Sequence, residues 1–455
     1  MKPVVVAGAG ISGLALAFEL RRLAVPVVVL EGEGRAGGKI ESDHRDGYLC
    51  ERGPASFLDR SGDLAALARA LGIEDRWLTA GDAAERRLVA AAGRLHDAPA
   101  TAPAFAASAL LPWLAKLRAG LDLVLPRGPS AAGMEESVAA FGRRRLGSLA
   151  GERLLEPLVS GLYAGEPEEV SLPSAFPLVA AMERERRSFL LAMRAEFAKA
   201  RRKTAPRLAS FRDGLDELTS ALATHLGDDL HLDSRVRRIE MDGVDFHVVV
   251  EERGQRGTLA ARAIVLALPA HVATSLVGSL DENLAGTLAR IPYVPVALVH
   301  LGYPASALAR PRDAYGFFVP PSEPLHVLGG IFPSQFFAGR APVGFHLFSV
   351  RTGGARHSEA LAMPDDELAA LADRELRGLV GLAAGPSFVH IVRNEQALPQ
   401  YTLGHMGRLA EIEAGERRHA GLFFHGNAYH NAGVPELVSR SWKLAERVAG
   451  FVKMS

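Results

Sequence analysis

The sequence predicts an α/β fold, a doubly wound parallel sheet that carries an inserted α+β domain and a mostly helical one. Three observations predict it: a strand, glycine turn, helix, strand and acid within the first thirty-one residues; a lone apolar strand in mid-chain, Ala263-Ile264-Val265-Leu266-Ala267-Leu268-Pro269; and a strand followed by a long helix at the far end. A chain of 455 residues has room for two or three domains at roughly 100–200 residues each.

Residues 3–7 form a short apolar strand that runs into Gly8-Ala9-Gly10-Ile11-Ser12-Gly13, and residues 14–23 read as a helix. After Pro26, Val27-Val28-Val29-Leu30 ends at Glu31, 18 residues beyond Gly13. Each residue type has a physical reason. Gly8 permits a sharp turn, Gly10 lets a pyrophosphate approach the backbone, and Gly13 lets the helix pack on the strand. The helix N-terminus attracts phosphate charge, and the Glu31 carboxylate can accept from ribose hydroxyls. A Rossmann-like dinucleotide site is predicted. The next segment, Gly34-Arg35-Ala36-Gly37-Gly38-Lys39-Ile40, is a second glycine turn that no nicotinamide enzyme requires. A long FAD molecule needs such a second close backbone approach, with Arg35 as a cation, so FAD is the predicted cofactor. This Glu-x-x-x-Arg-x-Gly-Gly arrangement resembles the amine-oxidase-like FAD superfamily.

At the far end, Leu422-Phe423-Phe424-His425 reads as a strand, followed by Gly426-Asn427-Ala428-Tyr429. Then His430-Asn431-Ala432-Gly433-Val434-Pro435 opens a helix expected over about 436–451, with Pro435 suited to a first turn. Free backbone N–H groups there can face the flavin pyrimidine edge. The expected organisation is an FAD-binding domain from 1–60, 206–270 and 388–455, a substrate domain from 61–90 and 271–387, and a helical domain over 91–205.

Composition sets bounds. Lys+Arg and Asp+Glu are 52 each, without the basic excess of a phosphate-neutralising nucleic-acid binder. Cys50 is the single cysteine, so no intramolecular disulfide or multi-cysteine metal site exists, and it reads as a small buried hydrophobe in a reducing, cytoplasmic compartment. The 15 histidines show no metal-ligand spacing, so no metal is predicted. Met-Lys followed by a valine run lacks a signal-peptide pattern. Residues 98–115 carry no formal charge, but Pro99, Pro103 and Pro112 rule out a spanning helix. Phe105, Leu110, Leu111, Trp113 and Leu114, flanked by Lys116 and Arg118, allow peripheral membrane contact or an ordinary packed hairpin. The runs at Met182 to Arg187 and Lys199 to Lys203 are expected to be solvated.

Further strings in order across the chain resemble the porphyrinogen oxidases of haem synthesis. They are Asp46-Gly47-Tyr48, Glu51-Arg52-Gly53-Pro54-Ala55-Ser56-Phe57-Leu58, Glu156 to Gly165, Ser171 to Pro177, Tyr315-Gly316-Phe317-Phe318-Val319-Pro320 and Leu398 to His405. The resemblance implies that Gly53, Pro54, Ala55 and Ser56 lie against the flavin, and that Gly32, Lys39, Val236, Gly426, Ala432, Gly433 and Val434 join the FAD site. It also implies that Gly161 presents its carbonyl to the substrate as the candidate catalytic group, and that Phe318 and Phe332 hold the tetrapyrrole. Such members often carry Arg or Lys near Gly93 to Ala100 to meet a propionate; here His96 and Arg94 are the candidates, beside an opposing Asp97. Asn394 stands where Trp is usual, and Leu437 where Cys is usual.

The implied reaction is hydride transfer from a porphyrinogen methylene to flavin N5 with loss of a pyrrole proton, repeated over three cycles, with oxygen as acceptor and peroxide released. Protoporphyrinogen IX is favoured as substrate because few cations flank the expected propionate site. The alternatives are coproporphyrinogen III, an amine or polyene oxidase, and an FAD-binding haem-pathway protein without catalysis. A homodimer is compatible with this reading.

Overall fold

A computed structural model describes residues 2–128, 134–202, 207–309, 313–430 and 433–454, with no side-chain description for 196–202. The basic run at 199–203, Asn431 and the cofactor candidate Ala432 therefore lie outside the described residues or side chains.

Val4–Ala7 is fully buried and sits at the centre of a five-stranded parallel sheet. It pairs with Val27–Leu30 on one side and Ala263–Leu266 on the other; Leu422–Phe424 and Leu230–His231 are the outer strands. Strands covered on both faces read as continuous apolar runs, which is why these segments are so plain in the sequence. Val4 and Val6 face a core shared with the helices Ile11–Arg22, Asp216–Leu226 and Val434–Met454. Val5 and Ala7 face the opposite core, built with the antiparallel strands Ser234–Asp242, Asp245–Glu252 and Gln255–Ala261 and the helix Ala270–Val277. The last helix begins two residues before its expected start, at Val434.

A second, seven-stranded sheet runs in the order Phe388–Pro399, Tyr293–Pro304, Phe345–Gly353, Val327–Ile331, Gly316–Phe318, Arg87–Ala91, Arg94–Asp97. Residues 388–399 were expected with the nucleotide domain. The structure instead pairs them along most of their length with Tyr293–Pro304 as the edge strand of this sheet, the inward and outward alternation of their side chains suiting a strand with one face on the core.

Among the described residues, eight α-helices between Ala102 and Arg202 make up the helical region. Its core holds charge as well as apolar side chains. Arg145, Asp122 and Glu183 are all fully buried, with Arg145 Nη2 2.6 Å from Glu183 Oε1 and Nη1 3.3 Å from Asp122 Oδ1. Arg144 adds contacts of 2.7 Å to Glu136 and 2.8 Å to Glu183. The expectation that the run from Met182 to Arg187 is solvated is thus corrected at Glu183: two arginines of a neighbouring helix face its carboxylate. Trp113, Leu114 and Leu117 are exposed on the helix Trp113–Gly120, whereas Leu110 and Leu111 are buried. Among the described residues no helix is long and apolar enough to cross a membrane.

Removing one partner of a buried ion pair leaves the other charge uncompensated. Glu183→Ala is expected to lower stability by about 3–5 kcal/mol, with hydrogen exchange accelerating first in the helical region, as read by denaturant unfolding and exchange mass spectrometry.

Candidate functional site

The first glycine turn is held by close backbone packing. Gly8 has φ +102°, and a Cβ on Gly13 would lie 1.9 Å from the Gly8 carbonyl oxygen. Gly10 caps the helix Ile11–Arg22 in an extended conformation, and a Cβ there would meet nothing within 4 Å. Ala9, Ile11 and Ser12 are buried beside it. The second turn docks on the first: the Gly37 N–H donates to the Ala9 carbonyl at 2.8 Å, and Gly10 and Gly37 form a parallel bridge. A Cβ on Gly38 would stand 3.2 Å from the Gly10 Cα, and one on Gly53 2.1 Å from the Lys39 carbonyl oxygen. Open space at Gly10, and again at Gly426 with φ +134°, leaves a trough beside the helix start.

Other predicted residues sit around this trough in distinct roles. Glu31 accepts from the Ala9 N–H at 2.8 Å and the Glu33 N–H at 3.0 Å, so it ties the strand end to the first turn. Arg35 donates to the Gly38 carbonyl at 2.6 Å and pairs with Glu41 at 2.7 Å. Its guanidinium therefore shapes the second turn from within. Lys39 donates to the Gln396 carbonyl at 2.7 Å, and desolvation lowers its pKa. Gly32 lies against Arg235, with a would-be Cβ 3.2 Å from its Nε. Val236 is half-buried on Ser234–Asp242, opposite Val250. Gly433 and Val434 open the last helix, Val434 buried.

A cavity of about 190 Å³ lies against the seven-stranded sheet. Gly53, Pro54, Ala55 and Ser56 form one wall; Gly161, Leu162, Tyr315 and Phe318 form another. Gly161 touches Phe318 so closely that a Cβ would lie 2.1 Å from its Cδ1. The sheet register orders the floor. Val89, Phe318, Gly329, Arg351 and Leu298 are successive cross-strand partners, and His96 is the partner of Val89 at the sheet edge. His96 thus ends the row without lining the cavity, two strands or about 10 Å from Phe318. Its neighbour Asp97 is paired with Arg86, which relieves the repulsion expected of it.

Phe332 requires a correction. It is fully buried in the core behind the sheet, with its ring 5.1 Å from that of Phe348, and is not among the residues that line the cavity. Conversely, Arg351, His300 and Glu51 line the cavity and were not predicted as site residues. Arg351 donates to the Gly161 carbonyl, which was expected to face the substrate unencumbered. His300 Nδ1 lies 2.8 Å from Ser349 Oγ, while its Nε2 is buried without a partner among the described residues; burial depresses its pKa to about 3. Glu51 accepts from Ser42 Oγ at 2.6 Å and the Leu215 N–H at 2.9 Å, and burial pushes its pKa up to about 7. Cys50 is buried as expected, with its thiol pushed up to about 12 by desolvation and nearby carboxylates. Away from the cavity, His326, His357 and Glu359 bring potential ligand atoms within 4.8 Å of one another, a proximity that sequence spacing did not reveal. Asn394 donates to the Arg52 carbonyl at 3.4 Å.

The trough fits a dinucleotide: one glycine open to approach, a helix N-terminus pointing at it, and a second glycine turn locked alongside. The sequence profile of flavin-containing amine oxidoreductases matches residues 11–449. The chain belongs to that family. It is 34% identical to a chloroplastic protoporphyrinogen oxidase of Nicotiana tabacum over 98% of this chain and 85% of that one. It is 30% identical to a coproporphyrinogen III oxidase of Propionibacterium freudenreichii subsp. freudenreichii over 98% and 90%. A crystal structure from Exiguobacterium, provisionally assigned as a protoporphyrinogen oxidase, superposes with TM-score 0.83 at 23% identity over 98% of both chains. A cyclohexylamine oxidase of Brevibacterium oxydans superposes with TM-score 0.73 at 21% identity over 99% of both, a likeness of fold. As a family member the chain is a flavin-dependent oxidoreductase.

Gly13→Ala places its methyl on the Gly8 carbonyl, so the variant is expected to purify without visible flavin absorbance. Glu51 gives a pH signature. Its folded pKa of about 7 exceeds the ordinary 4.5, so the folded state binds the extra proton between these values. The associated stability is fully present below pH 4.5 and is lost as pH rises through 7. Glu51→Gln should abolish that loss, worth up to about 3 kcal/mol, in unfolding curves measured at pH 5 and pH 8.

Proposed function

We propose that this protein uses FAD to oxidise a porphyrinogen to the porphyrin, with protoporphyrinogen IX as the favoured substrate, molecular oxygen as acceptor and hydrogen peroxide as by-product, in haem biosynthesis. The observation that carries this reading is the meeting, in one cavity, of the segment Gly53 to Ser56 with the Gly161–Phe318 wall, Gly53 itself being packed on the Lys39 carbonyl at the end of the second glycine turn. Near-full-length identity to named porphyrinogen oxidases supports it.

Bound along the trough, FAD would supply two-electron acceptance, three times per porphyrin formed. The chain's residues do the rest. Tyr315, Phe318, Leu298 and Leu162 supply apolar walls for a flat macrocycle. Each cycle takes a hydride from a methylene carbon and a proton from a pyrrole nitrogen. The Gly161 carbonyl keeps one lone pair for such an N–H, the other being engaged by Arg351.

Coproporphyrinogen III is the second reading. The case for the dicarboxylate rested on the lack of cations over 97–115, yet Arg351 reaches the cavity from a distant strand, and coproporphyrinogen III oxidases are among the relatives. Exposed Trp113, Leu114 and Leu117 beside Lys116 and Arg118 support peripheral contact of a cytoplasmic protein with an anionic membrane.

The yellow holoprotein should generate porphyrin fluorescence under air from protoporphyrinogen IX faster than from coproporphyrinogen III; no fluorescence from either refutes the proposal. Gly161→Val should displace the Phe318 ring and lower turnover by about 100-fold while flavin content stays normal.

A further inference from the structure

The cavity holds a cation with no counter-charge. Arg351 stands on Phe345–Gly353 between Gly329 on one neighbouring strand and Leu298 on the other. Gly329 must be glycine: its φ is +153°, and a Cβ would stand 2.6 Å from the Phe317 carbonyl oxygen. Gly329 and Arg351 both line the cavity. Its guanidinium donates to the Gly161 carbonyl, and among the described residues no carboxylate lies within 4.0 Å of it.

The other charges around the cavity are already engaged. Arg340 donates to the carbonyls of Arg212 at 2.8 Å and Phe211 at 2.7 Å and to Ser210 Oγ at 3.1 Å. Glu51 is the sole carboxylate among the cavity-lining residues described, and it is held by Ser42 and the Leu215 N–H. A desolvated cation without a partner is costly, and desolvation lowers the pKa of Arg351. A ligand that brings its own anion removes that cost. A guanidinium has five N–H donors in a rigid fork that matches a carboxylate.

We infer that Arg351 binds a carboxylate of the substrate inside the cavity, so that the acid side chain of the macrocycle is gripped at the floor while its apolar disc lies along Phe318. This rests on the porphyrinogen reading and names the cation that the stretch from Asp97 to Ala115 lacks. It also makes Arg351 a specificity residue: the contact that orients the substrate is bonded to the Gly161 carbonyl on the facing helix.

The test compares free acids with esters on the holoenzyme. Protoporphyrinogen IX and its dimethyl ester, and coproporphyrinogen III and its tetramethyl ester, are assayed with wild type, Arg351→Met and Arg351→Lys, with KM and kcat separated. Binding of protoporphyrin IX and its dimethyl ester is followed by fluorescence quenching. Wild type should favour an acid over its ester by about tenfold or more in KM. Arg351→Met should raise KM for the acid by a similar factor and leave the ester within about twofold, and Arg351→Lys should recover part of the preference. Equal losses for acid and ester, or an unchanged ratio, overturn the inference and leave Arg351 only as a support for the Gly161 carbonyl. Should the Met variant fail to fold, a wild-type acid-to-ester ratio near one overturns it equally. A wild type that oxidises no porphyrinogen refutes the reaction itself and takes this inference with it, an outcome separate from active enzyme with an indifferent Arg351.

Discussion

Everything in this molecule is arranged around a backbone contact that tolerates no side chain, the approach of Gly13 to the Gly8 carbonyl. That approach lets the helix Ile11–Arg22 lie close on the central strand and leaves its N-terminal N–H groups facing open space at Gly10. The second glycine turn, bonded to Ala9 and pinned from inside by Arg35, completes the trough. Four further parallel strands, drawn from positions as remote as 27 and 424, then need only stack beside the first. The long excursions between them are free to build something else.

What they build is a second sheet whose cavity face is patterned by register. Partners in adjacent strands project to the same side, so Leu298, Phe318, Gly329 and Arg351 form one row across the floor. The helical region closes the opposite side and brings Gly161 onto Phe318. Its own integrity depends on a buried Arg145, Asp122 and Glu183 cluster as much as on apolar packing. Buried ion pairs of this kind contribute little net stability but punish loss of either partner, which suits a segment that must hold one geometry above a cavity.

The nucleotide half was legible because its constraints are local. Turn glycines, β-branched strands and the acid after the second strand follow one another within a few residues, and each has a backbone reason to be there. The substrate half was legible only through resemblance, and its reading was uneven. Phe318 lines the cavity, whereas Phe332, a residue of the same type nearby in sequence, is turned into the core. Phe318 is placed by its strand register, whereas Phe332 lies just past the strand Val327–Ile331 and caps the helix Pro333–Phe336, and no local pattern marks which of the two rings faces the cavity. The charged run around Glu183 misled for a related reason: pattern alone does not reveal that two arginines of another helix will meet one carboxylate.

The sequence alone determined the two glycine turns, the apolar strands of the parallel sheet and the exclusion of disulfides, because these depend on neighbours in the chain or on composition. Only the tertiary structure decided which residues share the cavity. Arg351 and His300 come from paired strands of the larger sheet, and Glu51 from a separate two-stranded hairpin packed across the cavity. The electrostatic character of the site, a guanidinium left without an anion among the described residues, arises from what packing withholds as much as from what it supplies. No one-dimensional pattern records the absence of a partner.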